Sequence, residues 1–234
     1  MTAGDHERRS ARHAVVTGTS SGIGRAIAER LLAGGWHVTG IDRALPDWTH
    51  AGFVGQQADL AEPHALIAQL ADLGTVTALV HAAGYMRVGR LGELMPDSGE
   101  GMWQVHVGAA EALANALAPD MGEGGRIVLI GSRTANGAAG RSQYAATKAA
   151  LTGLARSWAI ELAPRRITVN VIAPAATDTP FLRDPSRAGT APVLPPMGRF
   201  VDPAEVAALT AFLLSPEASA ITGQTITICA GASL

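Results

Sequence analysis

Thr17-Gly18-Thr19-Ser20-Ser21-Gly22-Ile23-Gly24 decides how this chain is read. Before it, His13-Ala14-Val15-Val16-Thr17 is a short apolar run that stops at Gly18, as a buried strand does. After it, Ile23, Ile27 and Leu31 recur every four residues over Gly22 to Ala33. That is the stripe of a helix, which Gly34-Gly35 ends. Gly18 suits a tight turn, Gly22 lets a pyrophosphate approach the backbone, and Gly24 lets the helix pack against the sheet. Unpaired N–H groups and the positive dipole end at the helix start favour phosphate. Gly18, Ser20, Ser21, Gly22, Ile23 and Gly24 are therefore the expected dinucleotide cradle.

Outward from this turn the same alternation continues. Strands are predicted over Trp36 to Ile41, closing at Asp42, and Phe53 to Ala58, closing at Asp59-Leu60. Further strands run over Val76 to His81, ending in Ala82-Ala83-Gly84, Arg126 to Ile130, ending at Gly131-Ser132, Ile167 to Ile172, before Pro174, and Thr225 to Ile228. Between them, Glu62 to Leu73, Gly101 to Met121 and Tyr144 to Leu162 read as helices. Asp202-Pro203 starts another, with Asp202 as N-cap. Asp178 to Arg199 holds five prolines and reads as an irregular loop. Alternating strands and helices with right-handed crossovers give an α/β, three-layer, doubly wound parallel sheet, the Rossmann fold. One domain is expected over 13–234, after a flexible tail at 1–12, with a substrate loop at about 180–197.

The second strand adds a cofactor preference. Asp42 follows Gly24 by 18 residues, the place of an acid that binds the adenosine ribose and repels a 2′-phosphate. NAD is expected, with NADP left open because Arg43 stands beside Asp42 and is able to pair with that phosphate.

Bulk properties exclude other classes. The 234 residues are 47% hydrophobic and 16% charged, so a packed core is expected rather than disorder. Net charge is −2 with no basic run, which gives no reason to expect nucleic acid or an anionic membrane surface. Cys229 is the single cysteine, so an internal disulfide and a cysteine metal site are ruled out. The start of the chain lacks the apolar stretch of a signal peptide. No run approaches the roughly 20 apolar residues that span a bilayer. A cytoplasmic protein acting on a small molecule is expected.

Chemistry is suggested by Tyr144 and Lys148, four apart on one helix face. A neighbouring ammonium stabilises a phenolate and brings tyrosine toward acid–base work near neutrality. Ser132 is placed to donate a hydrogen bond to a substrate oxygen.

Taken together, Thr17-Gly18-x-x-x-Gly22-Ile23-Gly24, Asp59-Leu60, Ala82-Ala83-Gly84, Ser132, Tyr144-x-x-x-Lys148 and Ile221-Thr222-Gly223 resemble a classical short-chain dehydrogenase/reductase, in family order and across nearly the whole chain. The resemblance implies that Tyr144 is the general acid/base, that Ser132 polarises the carbonyl, and that Lys148 tunes Tyr144 and holds the ribose. It implies that Asp59 and Leu60 flank the adenine and that Ala82, Ala83, Gly84 and Pro174 line the cofactor. Thr177 and Thr179 would reach the nicotinamide. A homotetramer or homodimer assembled through the two long helices is implied as well. Direct hydride transfer between cofactor and a secondary alcohol or ketone needs no metal.

Three positions depart from the family. Its central-helix Asn is replaced within Val105-His106-Val107, where His106 either relays protons to the lysine, with pH sensitivity near ~6.5, or merely fills space. His81 precedes Ala82 in the turn where the family has Asn-Ala-Gly, and reads as a buried, hydrogen-bonded strand residue. Pro174-Ala175 replaces Pro-Gly, which would strain Ala175 if its φ were positive. Gly84-Tyr85-Met86-Arg87 and Asp42-Arg43-Ala44-Leu45 are faintly similar to dihydro-dihydroxybenzoate dehydrogenases, which raises Arg87 or Arg141 as a carboxylate contact against plain surface arginines. The alternative function is a dinucleotide-binding regulator that has lost catalysis.

Overall fold

Strands that are apolar on both faces need helices on both faces, and the computed structural model has that arrangement. It describes residues 12–68, 70, 73–183 and 193–234. The tail expected at 1–12, all but its last residue, and the middle of the expected loop at 180–197 lie outside these residues.

Seven parallel strands form one sheet in the order β3-β2-β1-β4-β5-β6-β7. They are β1 (His13–Thr17), β2 (His37–Asp42), β3 (Phe53–Gln57), β4 (Ala78–His81), β5 (Arg126–Ile130), β6 (Thr168–Pro174) and β7 (Thr225–Ile228). Side chains alternate at period two between two cores. Val15, Leu79, Ile127, Leu129, Val169 and Val171 enter one core, with Leu113 and Leu151 of the helices. Ala14, Val16, Val80, Val128, Ile130 and Ile172 enter the other, with Ile27, Leu31 and Val206. The first face therefore carries α2 (Pro63–Ala68), α4 (Ala109–Leu117) and α5 (Ser142–Leu162), and the second carries α1 (Gly22–Ala33) and α6 (Pro203–Leu213). Asp202 caps α6 as expected: its carboxylate accepts from Ala204 N–H, and Glu205 completes a capping box, an arrangement worth about 1 kcal/mol.

The helix expected over Gly101 to Met121 is three pieces. It begins earlier as α3 (Pro96–Trp103), because Pro96 takes the first-turn position where no N–H is needed. A π turn, Gln104–Gly108, then inserts before α4. The strands expected to start at Trp36, Val76 and Ile167 start one or two residues later, and α5 starts two residues before Tyr144. Within the predicted loop, Pro180–Arg183 forms a short 3-10 turn. Ala175 is not among the residues with positive φ, so the strain expected from replacing Gly does not arise.

Strand order reverses between β1 and β4, the place where a doubly wound sheet opens a crevice beyond its carboxyl ends.

Candidate active site

A cleft of about 690 Å³ fills that crevice. The residues expected from the sequence to touch cofactor or substrate line it, Arg141 included, with two exceptions, His106 and Arg87.

The phosphate end is built by β1 and α1. Gly18 has φ of 79°, and a Cβ on Gly24 would sit 2.2 Å from Gly18 O, so the turn closes only without side chains there. Ser21 at the N-cap makes no side-chain cap bond, and the first turn of α1 holds no acid. The helix N-terminus thus keeps its donors and its dipole for an anion, which fits a pyrophosphate. Beside it, Asp42 Oδ2 accepts both the Ser20 N–H at 2.9 Å and the Ser20 hydroxyl at 2.7 Å. Oδ1 keeps only a long contact, 3.4 Å, from Ala44 N–H, and is the oxygen available to a ribose hydroxyl.

The opposite end is built by β5 and α5. Ser132 leads the turn after β5, and its Oγ accepts the Thr134 N–H at 3.1 Å. With one lone pair so engaged, its own O–H is oriented to donate. One α-helical turn joins Tyr144 to Lys148, and both are buried. Lys148 Nζ lies 5.9 Å from the Tyr144 ring centroid and donates to Ile130 O at 2.8 Å. Burial pushes the Lys148 ammonium down to about 7. The Tyr144 ring packs with Met86 and Met102, next to Phe181.

Behind the cleft two buried histidines hold the frame. Thr17 Oγ1 accepts from Ala82 N–H and Ala83 N–H, both at 3.0 Å, so its proton goes to His81 Nδ1 at 3.0 Å. His81 Nε2–H then donates to Val105 O, at 3.0 Å, inside the π turn. His106 Nε2 accepts the Tyr85 N–H at 3.1 Å. Its Nδ1–H donates to Thr147 Oγ1 at 2.8 Å, whose proton goes to Tyr144 O at 2.9 Å. His81 is thus the buried, bonded residue expected. The proton relay expected of His106 has no free nitrogen to work with. Burial first, then the Lys148 charge, hold His106 well below 6.5, which favours the second of the two roles left open for it, filling space, over the relay. The connecting roles of Thr17, read from the sequence only as part of the glycine motif, and of Thr147 escaped the sequence reading. Their only signal is a polar residue at a strand end and one beside Lys148.

Among the described residues no cluster of His, Cys, Asp and Glu is arranged to hold a metal, and no helix is long and apolar enough to cross a membrane.

Comparison with known proteins agrees with this geometry. A family model described as enoyl-(acyl carrier protein) reductase matches residues 18–233. The 3-oxoacyl-[acyl-carrier-protein] reductase of Salmonella typhimurium is 37% identical over 93% of this chain and 96% of its own length. The aldohexose dehydrogenase of Thermoplasma acidophilum superposes with a TM-score of 0.86 at 30% identity, over 95% of this chain and 94% of that one. The 3-ketoacyl-(acyl-carrier-protein) reductase of Brucella melitensis, solved with NADH, gives a TM-score of 0.85 at 28% identity over 95% of this chain and 98% of that one.

Proposed function

Since the chain belongs to the classical short-chain dehydrogenase/reductase family, we propose that it interconverts a secondary alcohol and a ketone with a nicotinamide dinucleotide, NAD in preference to NADP. The observation that carries this is the placement of Ser132, Tyr144 and Lys148 at one end of a cleft whose other end is the uncapped N-terminus of α1. The α1 turn would hold the pyrophosphate, Asp42 the adenosine ribose, Asp59 and Leu60 the adenine, and Thr177 and Thr179 the nicotinamide side. When bound, the nicotinamide supplies the hydride acceptor or donor.

The protein's own part is proton handling and orientation. Ser132 donates its O–H to the substrate oxygen. Tyr144 takes the proton from the alcohol or returns it to the forming alkoxide. An ammonium has three donors. Lys148 spends one on Ile130 O and keeps two for a ribose hydroxyl and the Tyr144 oxygen. The expected relatives' mode of assembly, α4 and α5 against a second copy, suits the groove that Trp158 shares with Glu111 and Arg165.

Replacing Tyr144 by Phe tests the reading. Oxidation of secondary alcohols should fall by about 10²- to 10⁴-fold while NADH binding survives. Full activity in the variant refutes the assignment. Binding without turnover in the unaltered protein favours a dinucleotide-sensing regulator instead.

A further inference from the structure

One peptide unit of the glycine turn is held at both ends by the same stretch of chain. The Thr19–Ser20 peptide gives its N–H to Asp42 Oδ2 at 2.9 Å, while its carbonyl oxygen, Thr19 O, accepts from Trp48 Nε1 at 3.4 Å. Asp42 ends β2, and Trp48 lies further on, in the connection to β3. Thr19 is fully buried, so water cannot replace the indole as donor. Among the described residues no backbone N–H donates to this oxygen.

Trp48 is itself held in place. Its ring lies on Phe53, the first residue of β3, with centroids 4.1 Å apart. Arg25 Cζ stands 5.9 Å from the Trp48 ring centroid, and Arg25 pairs with Glu29 and with Asp47, the neighbour of Trp48. The floor beneath is Gly40 of β2. A Cβ there would meet Thr19 Oγ1 at 2.5 Å and the Phe53 ring at 2.6 Å, so only glycine lets the turn and the aromatic pair share that place.

Thr19, Arg25, Trp48 and Phe53 do not line the cleft. Whatever Trp48 does for a ligand therefore passes through the turn. The N–H groups free at the start of α1 follow directly on the Thr19–Ser20 peptide, so the orientation of that peptide sets where they point. Without the indole N–H, the buried carbonyl loses its partner and the peptide is free to turn toward another donor.

We propose that Trp48 is a positioning residue for the dinucleotide: through its bond to Thr19 O it locks the peptide that aims the donors at the start of α1 toward the pyrophosphate, while Asp42 holds the other end of the same peptide and faces the adenosine ribose. This rests on the dinucleotide reading above and adds a residue outside the cleft on which cofactor affinity depends. The turn is ordered before the cofactor arrives, so binding does not bear the cost of ordering it.

The test compares Trp48→Phe, which keeps a ring against Phe53 and has no N–H, with Trp36→Phe, a change in the same core at the other end of β2. NADH and ADP are titrated into both by calorimetry, and melting temperatures are recorded. Trp48→Phe should bind NADH and ADP about three- to tenfold more weakly, the effect of one hydrogen bond. With any secondary alcohol that the unaltered protein oxidises, KM for NAD should rise by a similar factor while kcat at saturating NAD is kept. Trp36→Phe should leave both affinities within about twofold, whatever its melting temperature. Unchanged affinity in Trp48→Phe, or a loss confined to kcat, overturns the proposal. An equal loss of affinity in Trp36→Phe overturns it too, because the cause is then a general loosening of the core. If Trp48→Phe does not fold, hydrogen exchange in the unaltered protein decides. ADP should slow exchange over 46–52, residues that do not line the cleft, because the turn and this connection are ordered together. Exchange there that ADP leaves unchanged overturns the proposal. An unaltered protein that binds neither NADH nor ADP would sink the underlying dinucleotide reading as well.

Discussion

His106 Nε2 accepts the backbone N–H of Tyr85 at 3.1 Å, and this bond fixes the protonation state of its ring. The acceptor nitrogen must be unprotonated, so the ring is the neutral Nδ1–H tautomer, with that proton given to Thr147. A Cβ at Gly84 would meet His106 Nε2 at 2.9 Å and Lys148 Nζ at 3.3 Å, which shows how closely the three pack. His106 is therefore a positioning residue. It holds the Gly84-Tyr85 turn of the cleft and, through Thr147, the Tyr144 backbone.

A positioning role predicts the kinetics of His106→Asn. The amide offers one acceptor and one donor to the same partners, so kcat should fall modestly and its pH profile should keep its shape. His106→Phe should fall much further, since Tyr85 N–H is left without a buried partner at about 1–3 kcal/mol. A pH–kcat profile in His106→Asn that loses an ionisation near ~6.5 would restore the relay.

Acid should weaken the fold through the same pair. Burial is the main cause that holds His81 at about 3 and His106 well below 6.5. Once unfolded, both bind a proton near ~6.5. Below that pH the unfolded chain holds protons that the folded one refuses, so stability is full above pH ~6.5 and declines on acidification. Between pH ~6.5 and ~5 His81 accounts for about 2 kcal/mol, and His106 acts in the same direction. Urea midpoints at both pH values, for the parent and His81→Asn, measure this. The variant should lose about 2 kcal/mol less on acidification, and equal losses would show that His81 does not titrate on unfolding.

These networks also mark where the sequence stopped being informative. Seven strands, the glycine turn and its cleft were readable because period-two and period-four apolar spacing and glycine positions are local signals. Asp42, Ser132, Tyr144 and Lys148 lie at strand ends or one helix turn apart, so topology alone gathers them. The π turn at Gln104–Gly108 was not readable, since nothing in its composition breaks a helix. It receives a contact from β4, 24 residues away in sequence, where His81 donates to the Val105 carbonyl, and local spacing carries no sign of that contact.

Gly24→Ala isolates the glycine turn from general stability. The added methyl would lie 2.2 Å from Gly18 O and 2.9 Å from Thr17 O, both backbone atoms that cannot rotate away. Overpacking of this kind costs about 1–3 kcal/mol, and relief means lifting α1 off the turn. NADH affinity should fall by about 100-fold or more, equivalent to about 2.8 kcal/mol, with a lower melting temperature. A variant that binds NADH normally would show that the turn is not the phosphate cradle.

The cofactor preference turns on Asp42 and its support. Ser20 donates twice to Oδ2, which holds the carboxylate where a 2′-phosphate would otherwise sit. Asp42→Ala should weaken NADH and strengthen NADPH, narrowing or reversing their ratio. Ser20→Ala removes one of the two donors and should narrow the ratio less. Fluorescence titrations with both reduced cofactors measure this. A parent protein preferring NADPH would overturn the expectation and turn attention to Arg43.

Lys148→Met should separate function from stability. Holding this lysine at about 7 rather than 10.5 costs the fold about 4 kcal/mol at neutral pH. Deleting its bond to Ile130 O leaves a buried carbonyl unpaired, at about 1–3 kcal/mol. The first effect exceeds the second, so the cofactor-free variant should melt higher than the parent at pH ~7. The sign also sets a pH trend. Between about 7 and 10.5 the unfolded parent holds a proton that the folded lysine releases, so the parent gains stability as pH rises and the gap to the variant closes. Turnover should be lost at every pH, because no ammonium remains beside Tyr144. A variant that melts several degrees lower at neutral pH would mean that the ammonium is held by partners strong enough to offset its burial, and its role would then be structural as well as chemical.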